Sequence, residues 1–119
     1  MSSLRLRIIP ALALAWPSVA LGEVVINEIH YDADPKTDAV EFVEIHNTGG
    51  SSVDLSGWRF SSGIEFPFPA NTTLKPSGYL VVAESPTELR RKFKLGASAV
   101  LGPYNGRLSN SDELTLRDA

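Results

Sequence analysis

The tripeptide Glu-Ile-His occurs twice in the chain, so the pair Glu28 and His30 is repeated by Glu44 and His46. Side chains at positions i and i+2 of a β-strand share one face, so each copy would present a carboxylate beside an imidazole. If the two strands pair in register, the four groups converge as a zinc-like ligand set. The spacing permits such a site without requiring it. We favour the alternative, a polar strand face that makes cross-strand hydrogen bonds.

A second set of possible metal ligands is the acidic stretch that contains Asp32, Asp34 and Asp38. Carboxylates at a D-x-D spacing resemble the start of a calcium-binding loop. However, Lys36 stands where a third acid would help, and no glycine occupies the sixth position. We therefore favour an ordinary polar loop in which Asp34 and Pro35 start a turn, with calcium as the one cofactor to be considered.

Catalytic patterns are missing from the sequence. The serines lie in turn-like contexts without a G-x-S-x-G elbow, and no phosphate-binding loop or dinucleotide fingerprint occurs. Glu41 and Glu44 would fall on opposite faces of a strand, so they are not placed to act as a carboxylate dyad. The sequence predicts a protein that is not an enzyme.

The basic residues cluster at one place, at Arg90, Arg91, Lys92 and Lys94. A basic patch can contact phosphates. The chain as a whole is acidic, with 11 basic and 14 acidic residues, so we expect a solvated helix face and no nucleic-acid partner. Phe93 is expected to be the residue of this helix that packs inward.

The first 22 residues have the pattern of an export signal. Arg5 and Arg7 precede an apolar stretch, and small residues follow it, so cleavage is expected after Ala20 or Gly22. The stretch 8–21 is shorter than the roughly 20 apolar residues that cross a bilayer, so no membrane span is expected. These features predict a secreted, periplasmic or cell-surface protein.

Removing residues 1–22 from the 119 leaves 97, enough for one modest core. Two of the eleven basic residues lie in the removed segment, so the remainder carries nine basic and fourteen acidic residues and a net charge of −5. The chain has no cysteine, so packing alone must hold the folded part. A multidomain enzyme and a generally basic nucleic-acid binder are excluded.

The rest of the chain is rich in short β-forming segments separated by turn residues. Their number and spacing predict an all-β, antiparallel β-sandwich. The predicted strands lie at 24–31, 40–47, 53–55, 58–60, 64–69, 79–83, 100–101 and 113–117.

One helix is predicted near residues 86–94. Ser85 is a good N-cap, Pro86 occupies the first helical position, and Glu88 completes a capping box. Gly96 would stop the helix, and the cations near its C-terminal end would suit the helix dipole.

A series of short motifs runs in order along the chain after the leader: VINEI (25–29), EFVEIHN (41–47), DLSGW (54–58), FP (66–67), LKPSGYLVV (74–82), LGPYNGRLSN (101–110) and ELTLRDA (113–119). This series resembles the lamin-tail domain family, in its exported bacterial form. The resemblance implies an immunoglobulin-like sandwich, with Leu55, a sharp turn at Gly57 and a core or near-core Trp58.

The sequence departs from the family pattern at its end. A further strand usually follows the segment that 113–119 matches, whereas this sequence ends at Ala119. We expect either a fragment or a sandwich with an open edge, and an open edge favours a strand-exchange dimer.

Taken together, these features predict a 1–22 signal peptide and a 23–119 lamin-tail-like sandwich that lacks its last strand. The expected function is that of a non-catalytic binding module, an accessory part of a larger surface or secreted protein, with an unknown protein or cell-surface ligand. The alternatives are a calcium- or other metal-binding adhesion module and a fragment of an exported hydrolase.

Overall fold

The computed structural model describes residues 3–7, 20–21, 23–31, 38–96, 100–109 and 113–119. These described segments contain twelve strands and one helix, α1 (Pro86–Phe93), between the ninth and tenth strands. The strands are β1 (Ser3–Arg7), β2 (Ala20–Leu21), β3 (Val24–His30), β4 (Phe42–Asn47), β5 (Val53–Asp54), β6 (Arg59–Ser62), β7 (Ile64–Pro67), β8 (Thr73–Leu74), β9 (Tyr79–Ala83), β10 (Val100–Leu101), β11 (Asn105–Gly106) and β12 (Glu113–Arg117).

The strands form two five-stranded sheets and one small ribbon. Sheet I has the order β1-β12-β6-β7-β11, sheet II has the order β10-β9-β4-β3-β2, and β5 pairs with β8. Side chains from both sheets meet in one hydrophobic cluster, in which Phe60 and Leu116 of sheet I join Val43, Ile45 and Val82 of sheet II. The predicted immunoglobulin-like β-sandwich with one short helix is therefore confirmed.

The centre of this core is formed by residues other than Trp58. Trp58 is only partly buried and packs against the cluster from its margin, whereas Leu55 and Phe60 are 0% and 1% exposed. Gly57 has a positive φ of 79°, as the predicted sharp turn requires. The Trp58 N–H donates to the Leu55 carbonyl at 2.9 Å. This turn directs the indole to the rim and the Phe60 ring to the centre.

The turn before Trp58 is also held by a side chain. Asp54 Oδ1 accepts a hydrogen bond from the Ser56 N–H at 2.9 Å. Hydrogen bonds from Ser56 favour the ionised carboxyl and lower the pKa of Asp54.

One strand pair departs from the antiparallel rule. β10 runs parallel to β9, because α1 crosses between them and returns the chain in the same direction. The helix packs against the outer face of sheet II through a second cluster of Val40, Ala83, Leu89 and Val100. This crossover places α1 beside the exposed part of that sheet.

The capping residues of α1 act largely as predicted. Ser85 accepts a hydrogen bond from the Glu88 N–H, and Lys94 ends the helix in a left-handed conformation two residues before Gly96. The expectation for Phe93 is wrong. Phe93 is 48% exposed, and Leu89 (1% exposed) is the inward residue, since it sits one turn earlier on the face that meets β9 and β10.

The N-terminal residues extend both sheets. β1 pairs antiparallel with β12 over five residues, from Ser3 opposite Arg117 to Arg7 opposite Glu113, and β2 pairs with β3. β1 thus covers one edge of β12 in the full chain. Residues 8–19 and 22 lie outside the described residues, and removal of 1–22 stays a prediction.

The helical part of the described structure offers no membrane span, because α1 is too short and too polar to cross a bilayer.

A candidate ligand-binding groove

The outer face of sheet II carries a concave groove beside α1, with a cavity volume of about 640 Å³. β3, β4 and β9 form its floor, while α1, the residues after it and β10 form its wall. The lining residues are Glu28, His30, Phe42, Glu44, Tyr79, Val81, Leu89, Phe93, Leu95 and Val100.

Strand alternation determines which side chains of β4 and β9 reach the groove. Burial alternates along β4, so Val43 and Ile45 face the core while Phe42 and Glu44 face outward. Tyr79 of β9 is exposed on the same outer face, opposite His46 of β4.

A β-bulge brings the residues of β3 to this face. Ile26 and Glu28 oppose the consecutive residues Ile45 and Glu44, so that Asn27 is an extra residue in the ladder. Without this bulge, Glu28 would share the core-facing side of Ile26. The bulge instead places Glu28 and His30 outward, and the Asn27 side chain donates to Glu44 Oε1 at 2.7 Å.

The groove has an acidic centre between two aromatic pairs. Glu28 lies directly opposite Glu44 in the strand register. On one side the His30 and Phe42 rings stack with centroids 5.1 Å apart, and on the other the His46 and Tyr79 rings stack at 4.0 Å. The His46 Nδ1 donates to the Gly78 carbonyl at 2.9 Å, which fixes the ring orientation.

The strand register separates the residues considered as a zinc-like alternative. It sets Glu28 directly opposite Glu44, but His30 lies opposite Phe42 and His46 opposite Val25. The two histidines are therefore about four residues, roughly 13 Å, apart along the strands. No group of three or more His, Asp or Glu side chains that could hold a metal ion occurs within the described residues.

The acidic stretch considered as a calcium-binding alternative is described only in part. Asp32 and Asp34 lie outside the described residues. Asp38 is described, and its carboxylate accepts a hydrogen bond from the Lys92 ammonium at 3.1 Å, so this acid connects the end of the loop to α1.

Most of the basic cluster is engaged within the domain. The Arg90 guanidinium donates to the Val100 carbonyl at 2.7 Å, Arg91 pairs with Glu88 and Lys92 pairs with Asp38. Lys94 forms the exposed C-cap. The Arg90 contact ties α1 to β10 and so holds the wall of the groove.

Comparison with known families identifies the fold. The model of the Lamin Tail Domain family matches residues 17–119. The chain belongs to the lamin tail domain family. No curated protein and no solved structure matches the chain. Lamin tail domains form a non-enzymatic, immunoglobulin-like family, and this one carries its groove on sheet II.

Sequence reasoning missed the apolar part of the groove in this lamin tail domain. Tyr79 belongs to the most apolar predicted strand, and its outward position follows from alternation about buried Leu80 and Val82. The sequence contains no comparable pattern for Phe93 and Leu95, because their exposure depends on how α1 packs against the sheet.

Proposed function

We propose that this chain is an exported, non-catalytic binding module that serves as an accessory part of a larger surface or secreted protein and holds its ligand in the sheet II groove. One observation supports the choice of this groove as the ligand-binding site. Within the described residues, the large hydrophobic side chains that are exposed are Tyr79 (56%), Phe93 (48%) and Leu95 (41%), and all three line it. A convergent exposed apolar patch is typical of an interaction site.

The acidic charge of the groove favours a cationic ligand. Glu28 and Glu44 place two carboxylates on its floor, and no lysine or arginine is among the described lining residues. Two like charges opposite each other in a sheet repel, and a cation bound between them removes the repulsion. An anionic ligand would increase it.

The aromatic rings of the groove favour a cationic ligand that also carries apolar groups. Exposed ring faces attract guanidinium and ammonium groups, and the neighbouring Val81 and Leu95 offer apolar contact. We therefore propose that the groove binds a peptide segment in which arginine or lysine alternates with apolar side chains.

The binding test uses an end-blocked peptide of alternating arginine and leucine, compared with the same peptide in which citrulline replaces arginine. Citrulline keeps the shape of arginine and removes its charge. We expect the arginine peptide to shift the amide signals of Glu44, Tyr79 and Val81 in ¹H–¹⁵N spectra of the full chain. The Glu28→Gln/Glu44→Gln variant is expected to weaken binding by about tenfold, which is the scale of a charge-assisted contact.

The matched control is Glu65→Gln, which removes an exposed carboxylate from β7 in sheet I and should leave binding unchanged. Equal binding of the citrulline peptide would contradict the cationic ligand class. Shifts confined to residues away from the groove would contradict the site itself.

Export is tested separately from binding. Arg5, Arg7 and the apolar stretch that follows support the proposal that residues 1–22 are removed. Mass spectrometry of material secreted by the native host should give an N-terminus at Leu21 or Glu23. An intact Met1 on the mature protein at its place of function would refute export.

A further inference from the structure

We propose that removal of residues 1–22 lets β12 pair with β12 of a second copy of this chain, as an antiparallel, two-fold strand pair centred on Thr115. This inference rests on the proposed processing and is independent of the groove, because β12 belongs to sheet I. The surface is the edge of sheet I that β1 covers in the full chain.

Processing would leave β12 with an unpaired edge. Among the side chains that the structure describes, the buried hydrophobic ones lie between Val24 and Leu116, and all of these remain after processing. The strands lost are β2, which pairs with two residues of β3, and β1, which pairs with all five residues of β12. The backbone groups of β12 that face β1 then have no partner, and such an edge accepts another strand.

The sequence of β12 is complementary to itself in the reversed direction. In a pair centred on Thr115, Glu113 lies opposite the partner's Arg117, Leu114 opposite the partner's Leu116, and the two threonines face each other. Opposite charges, threonine pairs and apolar pairs are each favourable directly across an antiparallel ladder. A two-fold axis repeats every contact, so both ion pairs form together.

Other registers lose this complementarity. Centring the pair on Leu114 sets Glu113 opposite threonine and Leu116 opposite Asp112, while centring it on Leu116 sets Arg117 opposite threonine. Leu114 and Leu116 both face the core and are 0% exposed. The register centred on Thr115 therefore continues the apolar inner face of sheet I into the second copy.

Arg117 offers a hydrogen-bond donor to a partner strand. In the full chain, where β1 lies against β12, the Arg117 Nε is buried and has no hydrogen-bond partner in the described part of the chain. Buried guanidinium nitrogens are normally hydrogen-bonded, and a carboxylate opposite Arg117 supplies an acceptor. The partner's Glu113 places one there.

The first test compares masses by sedimentation equilibrium. The full chain is expected to stay monomeric, and the chain that begins at Glu23 is expected to approach twice its monomer mass as protein concentration rises. A full-chain variant, Leu4→Pro/Arg5→Pro, keeps every residue after position 5 but weakens β1, because at least one of the two lost N–H groups faces β12. It should dimerise like the shortened chain.

Charge reversal distinguishes this pairing from non-specific association. In the chain that begins at Glu23, Arg117→Glu alone should abolish the dimer because it sets two glutamates opposite each other. Adding Glu113→Arg restores opposite charges and should restore the dimer. Failure of this double variant to recover, with the domain still folded by near-ultraviolet circular dichroism, would overturn the Thr115-centred register.

A cysteine substitution locates the two-fold axis. The chain has no cysteine of its own, so Thr115→Cys introduces a single thiol that the axis brings next to its copy. Under mild oxidation this variant should form a disulfide-linked dimer in the chain from Glu23 but not in the full chain. The control is Thr87→Cys on the exposed side of α1.

Equal cross-linking of the Thr87 control, or a folded chain from Glu23 that stays monomeric, would overturn the proposal. If the shortened chain does not fold, the Leu4→Pro/Arg5→Pro full chain carries the same test, and a folded monomer there overturns it too. The peptide-binding experiment tests the groove separately, so the two failures are distinguishable.

Discussion

The Gly102→Ala substitution is expected to lower the free energy of unfolding by about 3 kcal/mol, because it adds backbone strain and steric overlap. Gly102 has a φ of +129°, which side-chain-bearing residues rarely adopt. A Cβ there would lie 2.3 Å from the Ala83 carbonyl oxygen and 3.0 Å from Pro86 Cγ. The oxygen belongs to the backbone of β9, so relieving the overlap requires a strand to move.

Urea unfolding followed by tryptophan fluorescence measures this effect. The control is Gly50→Ala, because a Cβ at Gly50 meets no atom within 4 Å and should change stability by less than about 1 kcal/mol. Unfolding of the two variants at the same urea concentration would contradict the close approach of β9 to the segment after β10.

The second large effect is expected from Asn47→Ala, at about 3 kcal/mol, because the substitution leaves several buried groups without partners. Asn47 is 0% exposed at the end of β4. Its Nδ2 donates to the Ser51 and Leu74 carbonyls at 2.8 and 3.1 Å, and its Oδ1 accepts from the Gly49 N–H at 2.9 Å. This amide therefore joins the turn after β4 to the β5–β8 ribbon.

Thermal and urea unfolding of the Asn47 variants separate hydrogen bonding from packing. Asn47→Asp keeps the shape but replaces the amide donor with an acceptor facing two carbonyls, so it should be at least as destabilising as alanine. Asn105→Ala, at an exposed position of β11, is the control and should cost less than about 0.5 kcal/mol. Near-native stability of Asn47→Asp would show that the two donor bonds contribute little.

Much of the fold was predictable where local chemistry is strong. The bounds of β9, β10 and β12 agree with the predicted strands, because apolar and β-branched residues lie between clear turn signals. The helix begins where the Ser85 cap predicts. By contrast, β8 and β11 were missed, and each of them is a strand only because it pairs with β5 or β7.

The candidate site was predictable only in part. The alternation rule correctly places Glu28 with His30 and Glu44 with His46 on common faces, and the Glu-Ile-His repeat marked the right strands. Whether the four side chains converge depends on the register of the two strands. In this antiparallel pair, the register places the two histidines at opposite ends of the shared face. The bulge at Asn27 had no sequence signal that we identified.

By itself, the sequence determined the chemistry of this protein: an acidic chain without cysteine, strands with one apolar face, a capped helix and a leader-like N-terminus. These properties follow from composition and short-range spacing. Only the tertiary structure decided that Trp58 lies at the rim, that Phe93 faces solvent and that two carboxylates meet between stacked rings. Each of these depends on contacts between residues far apart in the chain, and local preferences do not encode where a helix docks or which residue a strand leaves unpaired.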